Sequence, residues 1–402
     1  MSESPPIELT PQAAQTVETS SEKRLAGVFV VLYLAAFLVS LDRAVFAPLL
    51  PAIASDFKVS IAAVGLAVSA YTLPYGLFQL AYGPLADRSG KLAVMRWSFL
   101  IFAFGTGLCA VALTLPALDV LRAITGACAA SVVPLSLAFI GDAVPYQRRQ
   151  PFITNLMGAT SAGNALSAAF GGIVGQFLSW RALFALYGVV SLVLSVGLFR
   201  TSGEPARVSG PAPAKTERNY GQVLRLRRAQ ILFILVGLEG VVNYGSFTYL
   251  GAYLKDFYGI NYLVVGLILA AYGTGTLITS RVVHLGLRRL GEANLILVGG
   301  IMFAIGYLAL LPIGWWPLTV PPMLLMGAGF ALFHSTLQTR ATELVPGLRG
   351  TSVALFAFSL FLGGGIGTAV LGVMVSTLGY QTMIVFSGVM LLAITAVARR
   401  TW

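Results

Sequence analysis

Apolar residues fill this chain in long runs, each ended by a few polar residues, prolines or charges. The runs cover residues 25–48, 60–83, 92–113, 117–141, 152–177, 181–199, 230–252, 261–284, 293–312, 317–339, 351–375 and 381–398. Each is close to the ~20 residues that an α-helix needs to cross a bilayer. None alternates polar and apolar positions over about ten residues, the pattern of a membrane β-strand. The pattern predicts an all-α membrane protein with twelve transmembrane helices.

These twelve fall into two sets of six. Shifted against itself by 201 residues, the chain lays Val64 to Tyr71 (VGLAVSAY) on Val265 to Tyr272 (VGLILAAY). The same shift pairs Arg88 with Arg289, Gly90 with Gly291, Gly126 with Gly327 and Asp142 with Glu343. Gly163 meets Gly364 and Gly171 meets Gly372, while Asp56-Phe57 meets Asp256-Phe257 after a slip of one. Two pseudo-symmetric six-helix halves are predicted, 25–199 and 230–402. The stretch between them, 200–229, carries Pro205, Pro211, Pro213 and many arginines, and reads as a mobile cytoplasmic linker. Residues 1–24 are polar, acidic and proline-bearing, without the basic start and short apolar core of a secretory signal. They read as a disordered cytoplasmic tail. Parallel six-helix repeats around a central site are one architecture of alternating-access carriers.

Composition agrees with a membrane solvent. Only 10% of the 402 residues are charged and 57% are hydrophobic, against about 25% charged in soluble domains. The net charge of +11 raises the question of nucleic acid, and its distribution answers it. Of the 26 Lys and Arg, 19 lie in the tails and the connections on the side of both termini; the opposite connections hold only Lys58, Arg181 and Lys255. By the positive-inside rule both termini are cytoplasmic. The expected setting is the cell's inner or plasma membrane, as a multi-pass monomer with no nucleic-acid partner. Cys109 and Cys128 fall inside predicted helices and read as small packing residues. No metal cluster or cofactor motif is present, and no G-x-x-x-x-G-K-[ST] loop for ATP. The linker is too short for a catalytic domain, so neither an enzyme nor an ATP-driven pump is expected.

The informative residues are charges inside apolar runs. Asp42 and Arg43 end the first span, Arg122 opens the fourth, and Glu239 interrupts the seventh. Each charge at a bilayer centre opposes insertion by about 2.5–3.5 kcal/mol. At 1.5 Å per residue, Asp42 lies ~26 Å from the cytoplasmic end of its span and Arg122 ~6 Å from the outer end of its own, so both sit toward the outer third. Adjacent helix positions point about 100° apart, so Asp42 and Arg43 do not share a face, and Arg122 is the candidate partner for Asp42. Desolvation favours the neutral form of a carboxyl and a nearby cation the charged form; a cation that moves would switch a proton on and off. A static ion pair that fixes helix packing is the alternative. Glu239 has no evident partner in the sequence and is a second proton- or cation-site candidate. His284 and His334 are weaker candidates. Tyr75, Asn243 and Tyr244 are candidate cavity residues, with tyrosines able to offer cation–π contact.

One loop is specific. After the second span comes GPLADRSGK, with Gly83, Asp87, Arg88, Gly90 and Lys91. It resembles the signature loop of the major facilitator superfamily, G-x-x-x-D-R-x-G-[RK]; a decayed copy, HLGLRRLGE, begins at His284. The resemblance extends over the whole chain. It implies that Asp87, a basic residue of the loop (here Lys91) and an acid ending the fourth span (here Asp142) latch the halves together in the outward-facing state. Arg122 and Gly126 are similar to that family's R-x-x-x-G motif. The fifth span keeps Gly163, Gly171 and Gly172 of the motif of drug–proton antiporters, but Ser167-Ala168 stand where that motif has Gly-Pro. The resemblance implies a proton-coupled carrier that exports a small amphipathic solute or drug. The LDR of the first span also resembles organic-anion/proton symporters, in which Arg43 and Arg122 would hold a carboxylate substrate. A receptor that binds its ligand without flux is the alternative from another class.

Overall fold

The computed structural model describes residues 11–201, 220–311, 314–345 and 347–401, with the side chains of 11–25 excepted. Among the described residues every regular element is helical, and nine helical stretches are long and apolar enough to cross a bilayer.

Helices α1 (Pro11–Ala44) and α2 (Phe46–Phe57) make one interrupted rod. The interruption at Val45 has a cause in the sequence: Pro48 has no N–H to offer the Ala44 carbonyl four residues back. After α3 (Ile61–Ser89), the chain turns at Gly90, φ 87°, into α4 (Lys91–Cys109). Helices α5 (Leu115–Ala129) and α6 (Val132–Ala143) repeat the device of the first rod, with Pro134 unable to bond Ala130. Helices α7 (Arg149–Phe177) and α8 (Trp180–Arg200) complete the first half. A short helix, α9 (Tyr220–Leu224), precedes α10 (Arg227–Gly240), a π-helical turn over Val241–Ser246, and α11 (Phe247–Tyr258). Helix α12 (Tyr262–Leu308) is divided at Gly291, φ 72°, and is followed by α13 (Val320–Glu343). Helix α14 (Arg349–Thr401) is divided at Gly379, φ 85°.

Two stretches differ from the sequence expectation. Helix α1 already runs from Pro11, so the backbone of 11–24 is helical where a disordered tail is expected; residues 1–10 lie outside the described residues. Proline is tolerated at a first helical position, and the Ala, Gln, Glu and Lys after it are good helix formers. Within the linker, 202–219 lie outside the described residues, while α9 and the start of α10 occupy its end.

Several contacts recur at positions that the 201-residue shift relates. A Cβ added at Gly126 would collide with the Tyr71 carbonyl oxygen, and one at Gly327 with that of Tyr272, the same pair one repeat later. The π turn at 241–246 stands at the repeat position of Ser40–Val45, where α1 breaks. Asp56 accepts from Trp180 Nε1 at 3.1 Å, and Asp256 from the Tyr380 hydroxyl at 2.8 Å, another equivalent pair. Replacing Gly126 by Leu forces the α3 and α5 backbones apart, and overpacking of this kind costs about 1–3 kcal/mol. Gly158→Leu is the control, since a Cβ there meets nothing within 4 Å. The expected result is a lowered thermal midpoint and less monodisperse protein for G126L, with G158L near the parent.

The two halves touch along the end away from the chain termini. Gly251 of α11 packs on the Ala47 carbonyl, and the Cα of Gly266 in α12 lies 2.8 Å from where a Cβ of Gly172 in α7 would stand. Nearer the middle, Ser69 Oγ of α3 donates to the Gly365 carbonyl of α14 at 2.8 Å. Toward the terminal face α7 and α12 lose contact: Gly158 is open, and Arg281 and His284 are exposed. Helices α7 and α12 are thus packed closely toward the far face and are apart toward the face bearing Gly90 and Gly291, while on the α3–α14 side Gly76 packs on Phe361 and the Tyr220 hydroxyl donates to the Leu80 carbonyl at 3.1 Å.

Candidate functional site

The break after Ala44 sets two neighbouring charges in different surroundings. Asp42 turns into the first half. Arg122 Nη1 of α5 donates to both of its carboxylate oxygens, at 3.0 and 2.9 Å. Both side chains are sealed from solvent, at 0% and 1% exposure. Phe46, Tyr71 and Phe184 close around the guanidinium, their ring centres 4.7, 4.2 and 5.5 Å away. A buried pair of this kind is marginal in net stability but costly to break from one side. It is also incompletely satisfied: Arg122 Nε and the Tyr71 hydroxyl are buried with no hydrogen-bond partner.

Arg43 turns the other way, into the space between the halves. Its guanidinium lies 5.5 Å from the Tyr75 ring, 5.6 Å from Tyr244 and 5.1 Å from Phe361. Nη2 donates to Asn164 Oδ1 of α7 at 2.9 Å. Among the described residues no carboxylate lies within 4 Å of it. Tyr75 and Asn164 come from the first half, Tyr244 and Phe361 from the second, with the Tyr75 and Phe361 rings 4.6 Å apart. Asn243 does not join them; it accepts from the Tyr272 hydroxyl at 2.6 Å within the second half.

Glu239 has a partner, contrary to the reading of the sequence. His334 of α13 places Nδ1 3.1 and 3.2 Å from its two carboxylate oxygens. Glu239 is fully buried and His334 is 17% exposed. The imidazole stacks on Phe330 at 4.8 Å and abuts Phe356 at 5.2 Å. The sequence separation of 95 residues hides this pair, and the only signal was a lone histidine inside a span. His284, by contrast, is exposed on the terminal face.

At the terminal face Lys91 pairs with Asp142, which joins α4 to α6. Arg88 and Asp87 lie exposed near the end of α3, which also carries Gly83, and among the described residues Asp87 takes part in no ion pair. In the second half the polarity is reversed: Glu292, the repeat of Lys91, pairs with Arg340. In α7, Gly163 admits the Phe37 carbonyl of α1, and Gly171 admits Pro48 and Val45 at the α1–α2 break. Gly172 faces α12 of the other half. These glycines let one helix approach three others closely. Cys109 and Cys128 are buried free thiols.

A sequence profile of the Major Facilitator Superfamily matches residues 32–368. The chain belongs to that superfamily. It is a multi-pass membrane transporter and not an enzyme, as its relatives are. It is 29% identical to an uncharacterized MFS-type transporter, YceJ, of Bacillus subtilis, with 84% of this chain and 86% of that protein aligned. It is 25% identical to the puromycin resistance protein pur8 of Streptomyces alboniger, over 92% of this chain and 86% of that one. In fold the transporter is similar to a bacterial homolog of the human lysosomal transporter Spinster, in its inward-facing and unoccupied conformation. That likeness has a TM-score of 0.81 at 18% identity and covers 94% and 97% of the two chains. A D-xylose–proton symporter shares the fold, with a TM-score of 0.76 at 16% identity over 92% and 96%.

Proposed function

We propose that this transporter is a proton-coupled secondary carrier that works by alternating access and exports a small amphipathic solute or drug. The observation that carries the reading is the sealed Asp42–Arg122 pair on the helix whose next residue, Arg43, stands where the two halves meet. A carboxylate held by one cation in an apolar shell has two stable arrangements: charged and paired, or protonated with the cation released. Exchange between them gives the two-state element that a gradient needs to bias. The unsatisfied Arg122 Nε and Tyr71 hydroxyl are consistent with a site that changes partners. Glu239 with His334 offers a second place for a proton in the other half.

The remaining features fit the same cycle. Nine spans, two of them divided at Gly291 and Gly379, together with α7, are read as twelve crossings of two pseudo-symmetric halves. With the arginine-rich terminal face in the cytoplasm, the parting of α7 and α12 there is read as the inward-open arrangement. Asp87 then stands free of Lys91 and Asp142 in this state and joins them when the terminal face closes. We further read the chain as a monomer of the inner or plasma membrane. Export is supported by the resistance and efflux proteins among its relatives, such as the multidrug resistance protein fnx1 of Schizosaccharomyces pombe, 29% identical over 46% of this chain and 35% of that one.

Purified protein in liposomes loaded with a pH-sensitive dye tests the reading. A panel of amphipathic solutes is added on one side, and coupled transport shows as a solute-dependent change of lumenal pH. Solute flux with no proton movement and no response to an imposed pH gradient would refute the coupling; binding without any flux would favour a receptor.

A further inference from the structure

The second half carries a groove that lies apart from the charged pairs. It runs between α10 and the last segment of α14, has a volume of about 310 Å³ and is lined by apolar side chains alone. Leu235 and Ile394 form its floor, each 3% exposed, while Ile234 and Val397 stand at its rims at 62% and 48%. Ile234 lies seven residues into α10, or ~10 Å at 1.5 Å per residue, so the rims face hydrocarbon. A groove of this shape accepts an acyl chain.

Toward the terminal face the groove is framed by arginine. Arg227 and Arg228 stand four and three residues before Ile231, and Arg400 three residues after Val397. Helical spacing makes each a continuation of the stripe that lines the groove. All three are exposed, and among the described residues none joins an ion pair. Arg227 and Arg228 also occupy the first turn of α10, the end at which the helix dipole disfavours a cation. Leu226 at the cap offers no side chain to the free amides there. Positive potential from two helices therefore gathers around one mouth, where an apolar chain would end and a phosphate begin.

We propose that the groove and its arginines form a binding site for an anionic phospholipid of the leaflet at the terminal face. One acyl chain lies between α10 and α14, and the phosphate is held by Arg227, Arg228 and Arg400. In a bilayer the chain itself selects nothing, because lipid tails are as apolar as leucine; it positions the lipid, and the charge at the mouth chooses it. Both walls belong to the second half, so the lipid remains seated when the halves re-orient. The assignment is independent of the transported solute, of proton coupling and of the direction of transport.

Purified full-length protein in detergent is titrated with phosphatidylglycerol and with phosphatidylcholine of the same acyl chains, and the first bound lipid is followed by native mass spectrometry. Phosphatidylglycerol is expected to half-saturate at a concentration about tenfold lower, as an arginine cluster facing a net negative head group requires. In R227Q/R228Q/R400Q the two lipids should become equal. R281Q/R288Q/R289Q removes as many charges from exposed places elsewhere toward the terminal face and should keep the preference. A393F fills the groove and should weaken both lipids, and glycerophosphoglycerol, the head group without chains, should displace neither. Equal affinity of the two lipids for the unaltered protein overturns the proposal. So does a preference unchanged in R227Q/R228Q/R400Q, or lost as fully in R281Q/R288Q/R289Q. Undiminished binding in A393F, or displacement by the free head group, overturns it too, since the chain would then not be seated in the groove. The comparison of lipids on the unaltered protein decides even where a variant does not fold.

Discussion

Asp42→Asn should abolish transport driven by a pH gradient, and it should also destabilise the protein. The two effects have different causes and are separable. Removing the carboxylate charge leaves Arg122 buried at 1% exposure with no counter-charge, and breaking a buried pair from one side costs about 3–5 kcal/mol. Arg122→Gln should cost as much from the other side. The double variant D42N/R122Q removes both charges and should regain most of the lost stability, because neither desolvated ion remains. Thermal or denaturant unfolding in detergent measures the cycle; flux in liposomes measures function. A double variant that is stable and inert is the expected result. If it is stable and still responds to a pH gradient, the pair is a structural clamp and the coupling lies elsewhere.

Glu239→Gln should leave the fold nearly intact while changing how transport depends on pH. The amide keeps an acceptor for His334, so the contact at 3.1 Å survives without its charge. What disappears is a carboxylate able to exchange a proton with the imidazole it touches. The flux of the unaltered protein is expected to depend on pH, and E239Q should flatten that dependence. His334→Gln should flatten it in the same way if the two act as one unit. An unchanged profile in E239Q would retire this pair from the cycle and leave Asp42 as the sole proton carrier.

Both predictions start from single charges that the sequence sets in oil, but the two pairs are not equally legible there. The depth of Asp42 and of Arg122 comes from counting residues along a helix, because each adds a fixed rise. Common depth makes them candidates for each other, and the two do form an ion pair at 2.9 Å. Glu239 and His334 are also visible as polar residues inside spans. Their meeting is not, because it depends on which face of α10 turns toward α13.

Arg43 shows the same limit more sharply. The sequence places it beside Asp42 and says only that the two point in different directions. That Asp42 turns inward to Arg122 while Arg43 turns to Tyr75, Asn164, Tyr244 and Phe361 is decided by α3, α7 and α14 and the π-helical turn packing around α1. Asn243, one residue before Tyr244, is an equal candidate for the cavity in the sequence and is drawn instead to Tyr272.

By itself the sequence determined the features that local rules dictate. Apolar length marked the long helices and the 201-residue shift marked equivalent positions, with Gly90 read as a tight turn. These need only the hydrocarbon thickness and the backbone chemistry of one residue. The breaks at Val45 and near Pro134 were seen only in the structure. Tertiary structure alone decided which charges pair, which arginine is left without a carboxylate, and at which face α7 and α12 part. Those outcomes depend on the rotation and tilt of helices against neighbours far away in the chain. No periodicity encodes them, because in a bilayer a helix gains its contacts by close packing of small residues and not by hiding an apolar stripe from water.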